Sequence, residues 1–362
     1  MIKIGIYSIC KNEEKNVKKW YDNIKYADYT VVYDTGSSDN TVEMIKSHEY
    51  SSIVRVFEQK NSENFSFDNA RNSALERFKE QNFVDCDYVV WVDFDETFSL
   101  DWIDKLKNFL NEYATDTQLP SSIRFNNNFE ETGHYWYQTR VHRLTDYSWK
   151  YCAHEVLIYT NDKKAEKVDF LDILIQHPCK SSRNDYTELL ELSHEKYNDG
   201  RTSYYLGREY YYNLNYERAA VLLDECLFVH NGWNAERGEA ARMLSEIYQE
   251  DKMVSLQYLH FYLAHCILQR EPYLELAKYY YTQCEWASVI YYANQALEIN
   301  QEPRAYLRIE TSNYTHVPHD YLCIAYDRLG EHTKAAYHAN KCLEFEPENQ
   351  RFQYNLKYLS QV

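Results

Sequence analysis

Near residue 183 the chain changes its pattern: strand-like runs alternating with helical stretches give way to helices alone. Before that point, runs at 2–9, 30–33, 53–57 and 88–92 are each followed by a stretch of helical period, at 13–24, 41–47, 67–79 and 102–113. This alternation predicts a mostly parallel sheet with helices on both faces, because a parallel strand needs a crossover to return. Beyond it, segments rich in Ala, Leu and Tyr run to Val362 with little strand signal. Two domains are expected, an α/β unit over 1–182 and an all-α unit over 201–362, joined by a helical linker at 183–200.

The second half also repeats. Gly207, Tyr210, Tyr216 and Ala219 recur at the same offsets as Ala277, Tyr280, Trp286 and, less closely, Val289. A later copy carries Tyr326, Gly330, Ala335, Leu343 and Pro347. Small residues let the two helices of a hairpin approach, and tyrosines and leucines fill the groove between hairpins. The offsets resemble tetratricopeptide repeats, whose period is about 34 residues. Ala277 and its counterpart Cys323 lie 46 residues apart, so an extra loop near 311–318 is expected, with a poorly matching copy over 234–268. Tyrosines between Tyr204 and Tyr216 read mainly as packing between helices; exposed members would line a groove that holds a protein, glycan or nucleic acid.

Composition narrows the function classes. Only 8 glycines and 6 prolines in 362 residues exclude a collagen-like or low-complexity chain. A net charge of −17 repels polyphosphate, which makes duplex DNA a poor partner unless basic residues cluster locally. The cluster weighed for that role is Arg140, His142, Arg143 and Lys150. Nine cysteines without a C-x-x-C pair suit reduced, buried thiols better than a disulfide framework or a zinc site. No signal-peptide pattern and no apolar run of membrane-spanning length is present in the sequence, so a soluble, cytoplasmic protein is expected.

Three segments carry chemistry. In V-V-Y-D-T-G-S-S-D-N-T, a strand ends at Asp34, a polar turn follows, and Asn40 with Glu43 has capping-box spacing. A carboxylate beyond a parallel strand's carboxyl end can accept from a base or ribose, although Asp34 capping its own turn is an equal reading. In W-V-D-F-D-E, three carboxylates crowd the end of an apolar strand, with Asp93 and Asp95 on one side by alternation. A divalent cation bridging to a diphosphate is the simplest compensation, an exposed strand end the bland one. In F-D-N-A-R-N, Arg71 precedes the apolar stripe of Ala74, Leu75 and Phe78 by three, four and seven residues. It therefore lies on the inward face, where it either snorkels out or meets a diphosphate.

Taken together, K-N-E-E at 11–14 and these three segments resemble the family-2 glycosyltransferases in order and spacing. The nearest resemblance is to the branch that includes the sublancin S-glycosyltransferase and related bacterial and phage enzymes. It implies a GT-A fold, Rossmann-like, followed by a tetratricopeptide-like domain. It also implies inverting, metal-dependent transfer from a nucleotide-sugar, most often a UDP-sugar. Residue by residue, Asp34 would contact the base, Glu13 the ribose side, and Arg71 the base or diphosphate. Asp93 and Asp95 would form the D-x-D pair on Mn²⁺ or Mg²⁺, with His154 as third metal ligand and Asp95 the more direct ligand.

Glu155, beside His154, is the preferred general base, with Glu96 and Glu131 as alternatives. His177 either meets the diphosphate or closes the domain. The expected acceptor is a protein, peptide or glycan held by the repeat domain, and a homodimer is among the expected assemblies. Two rivals stay open at this point: glycosylation of a modified base in phage DNA, and a non-catalytic repeat scaffold with a decayed transferase domain.

Overall fold

The computed structural model describes residues 2–59, 65–83, 85–86, 88–116, 119–129, 134–161, 164–178, 184–300, 307 and 309–361. It divides into two compact units, Met1–Ser193 and His194–Val362.

The first unit opens with β1 (Ile4–Cys10), α1 (Val17–Ile24), β2 (Tyr29–Asp34), α2 (Thr41–Ser47), β3 (Val54–Glu58), α3 (Phe67–Glu80) and β4 (Tyr88–Trp91). It continues with β5 (Thr97–Phe98), α4 (Trp102–Asp116), β6 (Ser122–Phe129), β7 (His134–Arg143), β8 (Tyr147–Lys150), β9 (Val156–Tyr159) and β10 (Lys167–His177). The strands order as β3-β2-β1-β4-β7-β6-β10-β5. Pairings among β1–β4 are parallel. β7 then enters antiparallel to both β4 and β6, while β10 runs parallel to β6. The expected parallel sheet therefore occupies the first half, and the second half is mixed.

Alternation explains how both faces are covered. Ile4, Ile6, Val32, Tyr88 and Val90 pack on one face with Trp20 and Ile24 of α1 and Ile103, Leu106 and Leu110 of α4. Their neighbours Tyr7, Val31, Val89 and Trp91 pack on the other with Ala74, Leu75 and Phe78 of α3. Successive side chains point to opposite faces, so the central strands bury side chains on both faces. Strand order reverses direction of growth at β1, with β2 on one side and β4 on the other. In open α/β sheets a crevice forms at such a point, outside the carboxyl ends of the strands.

One expected cap is absent. Asn40 precedes α2 without a side-chain cap bond. Asp39 does this instead, its Oδ1 accepting from Thr41 N at 3.0 Å and from the Thr41 hydroxyl. Asn40 has a near-helical backbone (φ −81°, ψ 11°), which takes its side chain off the amides a cap would reach, and it donates to Glu14.

Helix α5 (Thr187–Tyr197) spans the division between units. The second unit is built from helix hairpins. These are α6 (Gly200–Tyr212) with α7 (Tyr216–Asp224), and α8 (Asn234–Ile247) with α9 (Lys252–His265). They continue with α10 (Glu271–Thr282) with α11 (Trp286–Glu298), and α12 (Val317–Arg328) with α13 (His332–Phe345), before α14 (Gln350–Leu359). A Cβ on Gly207 would lie 3.0 Å from Leu223 Cγ, which shows why a small residue stands where α6 meets α7. Tyr204, Tyr205 and Tyr210 are buried in helix packing, while Tyr212 and Tyr216 are exposed. Among the described cysteines all are free thiols, and of these Cys284 alone is exposed; Cys179 lies outside the described residues. Among the described residues, no helix is long and apolar enough to cross a membrane.

Candidate active site

Two loops beyond the carboxyl ends of β1 and β2 are sewn together. After β1, Asn12 N donates to Ser37 Oγ (2.9 Å), Glu13 N to Thr41 Oγ1 (2.7 Å) and Glu14 N to Asp39 Oδ2 (3.2 Å). In return Ser38 N donates to Asn12 Oδ1 at 2.8 Å. The K-N-E-E and D-T-G-S-S-D-N-T segments are thus one rim, which their separation in sequence hides. Asp34 is buried within it, its carboxylate accepting from Gly36 N at 3.1 Å and Ser37 N at 3.0 Å. The Glu13 carboxylate accepts from Asn16 Nδ2 at 2.7 Å.

Arg71 is the hub of the next layer. It sits in the first half of α3 on the face that buries Ala74, Leu75 and Phe78, and is 5% exposed. Its Nη1 and Nη2 donate to the two Asp93 oxygens at 3.0 and 3.2 Å, and its Nε donates to Glu155 Oε1 at 2.6 Å. The guanidinium also lies 4.5 Å from the Trp91 ring centroid and 4.9 Å from that of Trp149, within cation–π range. Burial opposes ionisation of Asp93, but the Arg71 guanidinium outweighs it and holds the carboxyl below its usual range. The same two carboxylates raise Arg71 against the opposing effect of burial.

Glu155 reaches Arg71 because α3 grips the segment that carries it. Asn72 Nδ2 donates to Trp149 O (2.9 Å) while Asn72 Oδ1 accepts from Trp149 N (2.8 Å), and Phe67 N donates to Cys152 O (2.9 Å). The segment turns through two non-glycine residues at positive φ, Tyr151 (82°) and His154 (52°). Such conformations cost about 1–3 kcal/mol each and persist where neighbours enforce them.

A second ion pair lies deeper. Arg140 and Glu96 are both fully buried, with Arg140 Nη2 and Nη1 donating to the two Glu96 oxygens at 2.7 and 3.0 Å. Arg140 also donates to Asn127 Oδ1 (3.0 Å), and its guanidinium lies 3.5 Å from the Trp91 centroid. Glu96 Oε2 accepts the Asp93 backbone N–H at 3.1 Å. Desolvation pushes Glu96 up to about 7 against the pull of Arg140. His177 stands beside this pair, 3.5 Å from Glu96 and 3.2 Å from Asn127. Glu96, an alternative base on sequence grounds, is fully buried in an ion pair with Arg140. The partnership with Arg140 was invisible in sequence, since it needs the antiparallel entry of β7. A charged residue at an inward strand position was its one available signal.

The expected metal set does not converge. Among the described residues no group of three or more His, Cys, Asp or Glu side chains is placed to hold a metal ion. Both Asp93 oxygens are taken by Arg71 instead. The alternation that put Asp93 and Asp95 on one side also fails, because β4 ends at Trp91 and residues 94 and 95 form a turn. Phe94 is buried there, stacked on Trp20 at 4.5 Å, and half-buried Asp95 accepts from Lys19 Nζ through its carbonyl. His154 packs edge-on to Tyr186 at 6.0 Å. Glu131 lies outside the described residues.

The basic cluster weighed for DNA is not a surface patch. Arg140 and His142 are fully buried, and Arg143 donates to the Pro120 and Leu119 carbonyls. His142 belongs to a core network in which its Nε2 faces Tyr7 Oη at 2.8 Å and its Nδ1 faces Arg143 O at 2.9 Å. Trp149 Nε1 donates to the same Tyr7 oxygen at 2.9 Å. A carbonyl only accepts, so Nδ1 carries the proton and Nε2 accepts from Tyr7.

Residues 6–174 match the family described as Glycosyl transferase family 2. No curated protein matches the chain. Among solved structures, S. aureus TarS 1–349 in complex with UDP shares 12% identity, covering 73% of this chain and 89% of its own, with a TM-score of 0.36. MamA 41-end from Desulfovibrio magneticus RS-1 shares 18% identity over 45% of this chain and 85% of its own, with a TM-score of 0.35. At such scores the strand order and the helix hairpins themselves, not these likenesses, define the two units. The family match spans the sheet from β1 into β10 and every segment gathered around Arg71. The N-terminal unit therefore carries a family 2 glycosyltransferase domain, and the protein is a glycosyltransferase.

Proposed function

We propose that this domain transfers a sugar from a UDP-sugar to an acceptor with inversion, using the crevice at the carboxyl ends of β1, β2 and β4 as donor site. The observation that carries the reading is the meeting of Arg71, Asp93 and Glu155, drawn from three separate stretches of sequence, beside the rim that holds Glu13 and Asp34. In this reading Asp34 and Glu13 receive the base and ribose, and Arg71 directs its charge toward the diphosphate. Glu155 takes the acceptor's proton: Arg71 occupies Oε1, and Oε2 has no hydrogen-bond partner among the described residues.

The metal enters the proposal in a narrower form than the sequence suggested. Asp95, a hard oxygen donor half-buried after β4, is the side chain that would hold Mn²⁺ or Mg²⁺ with the donor's own oxygens. Bound there, the cation would neutralise charge on the departing diphosphate. His154 is left out of that shell. The narrower sublancin-type branch and an acceptor of protein, peptide or glycan class, engaged by the exposed Tyr212 and Tyr216, belong to the same proposal.

Thermal stability against a panel of nucleotides and nucleotide-sugars, each with Mn²⁺ and with chelator, tests the donor site. A ligand at ~100 times its dissociation constant stabilises the native state by about 2.7 kcal/mol. A shift with one UDP-sugar supports the reading, and its loss in chelator supports the metal. Folded protein that responds to no member of the panel overturns it.

A further inference from the structure

We infer that Glu96 and Arg140 are positioning residues: a buried ion pair that fixes Asp93, and through Asp93 the guanidinium of Arg71, for the donor. The inference rests on the donor-site reading above and adds residues that do not themselves touch the donor.

The backbone supplies the first reason. The last ladder-like bond after β4 is Val92 N to Tyr7 O at 3.3 Å. Beyond it the chain leaves the sheet, and the Asp93 N–H finds its acceptor in Glu96 Oε2. Asp93 is thus held twice, by Glu96 at the main chain and by Arg71 at the carboxylate. Removing the first hold frees the residue that the second depends on.

Energetics supply the second reason. Two fully buried charges suffer desolvation that an apolar pair of the same volume avoids, so such a pair is weak evidence of added stability. What it adds is direction. The fork of Arg140 fixes both Glu96 oxygens, Asn127 fixes Arg140, and the Trp91 ring lies within cation–π range of Arg140 and Arg71 alike. The whole chain of contacts ends on Asp93 and, through it, on Arg71, the group proposed to meet the diphosphate.

The test measures UDP affinity by calorimetry for the wild-type full chain, Glu96→Gln, Asp93→Asn and the double variant. Wild-type protein that fails to bind UDP overturns the donor-site reading and this inference with it. Given binding, Glu96→Gln is expected to weaken it tenfold or more. Adding Glu96→Gln to Asp93→Asn should then change affinity by less than threefold, because the positioned group is already lost. Wild-type affinity in Glu96→Gln, or effects that simply multiply, overturns the positioning role alone. Glu96→Gln leaves Arg140 without its counter-charge and risks misfolding. The paired replacement Glu96→Leu with Arg140→Met is therefore the second variant, removing the acceptor of the Asp93 N–H without stranding a charge. It is expected to melt near the wild-type temperature yet lose UDP affinity tenfold; retained affinity overturns the inference.

Discussion

Arg71 Nε and Glu155 Oε1 stand 2.6 Å apart, although 84 positions separate them in the chain. The contact ties the helix that covers one face of the sheet to the turn after β8. It also leaves Glu155 anchored by Oε1, while Oε2 has no hydrogen-bond partner among the described residues. In the proposed role of base, Glu155 held in this way keeps its geometry if only its proton-accepting power is removed. Glu155→Gln retains an oxygen for Arg71 and cannot take a proton at the acceptor. Sugar transfer to a hydroxyl acceptor is expected to fall by about 10²–10⁴, with UDP affinity within about threefold of wild type. Turnover of the UDP-sugar and calorimetry on the same sample check this. Loss of UDP affinity with equal loss of turnover would show that Glu155 serves the Arg71 site and not proton transfer.

Asn72 carries a separate expectation. Its side chain makes two hydrogen bonds to the main chain of Trp149 and thereby sets where the 151–155 turn lies. Asn72→Ala leaves the Trp149 N–H and C=O without these partners, at a cost of about 1–3 kcal/mol. Because the turn carries Glu155, activity should fall further than stability alone explains. Hydrogen exchange at the Trp149 amide should quicken selectively, while amides in β1 stay protected. Unchanged exchange at Trp149 would place the turn's restraint elsewhere.

These residues also show what the sequence could and could not convey. The parallel half of the sheet was legible because its strands are apolar on both faces and each is followed by a helix of clear period. Arg71's inward position followed from its offsets to Ala74, Leu75 and Phe78. Its partners do not follow from spacing: the crowded carboxylates of W-V-D-F-D-E point to a cation at Asp93, whereas both Asp93 oxygens accept from Arg71. The strand stops at Trp91 because Phe94 turns into the core against Trp20. The place of Glu155 beside His154 does not show how it reaches Arg71; the Asn72 clamp on Trp149 does. Arg140, His142, Arg143 and Lys150 cluster along the sequence, but one-dimensional clustering of charge does not reveal that Arg140 and His142 are buried. In the helical unit, the repeat offsets point to the hairpins where small residues face each other, as at Gly207, and the poorly matching copy expected over 234–268 is the α8–α9 hairpin.

His142 provides a pH expectation with a definite sign. Burial lowers its imidazole to about 4, while the carbonyl bond to Arg143 pulls weakly the other way. The folded value is depressed below the ordinary 6.5, so the unfolded chain binds the proton first as pH falls. Its contribution to stability is fully present above about pH 6.5 and is lost between about 6.5 and 4, amounting to about 3 kcal/mol. Imidazole resonances followed by NMR should show His142 neutral at pH 5, with Nδ1 protonated. A midpoint near 6.5 would contradict the Tyr7–His142–Arg143 network.

Gly5 tests how closely α3 must approach the sheet for Arg71 to reach its partners. A Cβ at this β1 position would stand 2.2 Å from Phe78 Cζ and 2.9 Å from Cys86 Sγ. Phe78 is fully buried, so its ring has little room to yield. Gly5→Ala is expected to destabilise the first unit by about 1–3 kcal/mol through overpacking. The strain pushes α3 outward at Phe78, two turns beyond Arg71, and should weaken UDP binding as well as lower the unfolding midpoint. Phe78→Leu in the same chain makes room for the new methyl group and should restore part of both. Restoration of stability without UDP affinity would separate the packing of α3 from the placement of Arg71.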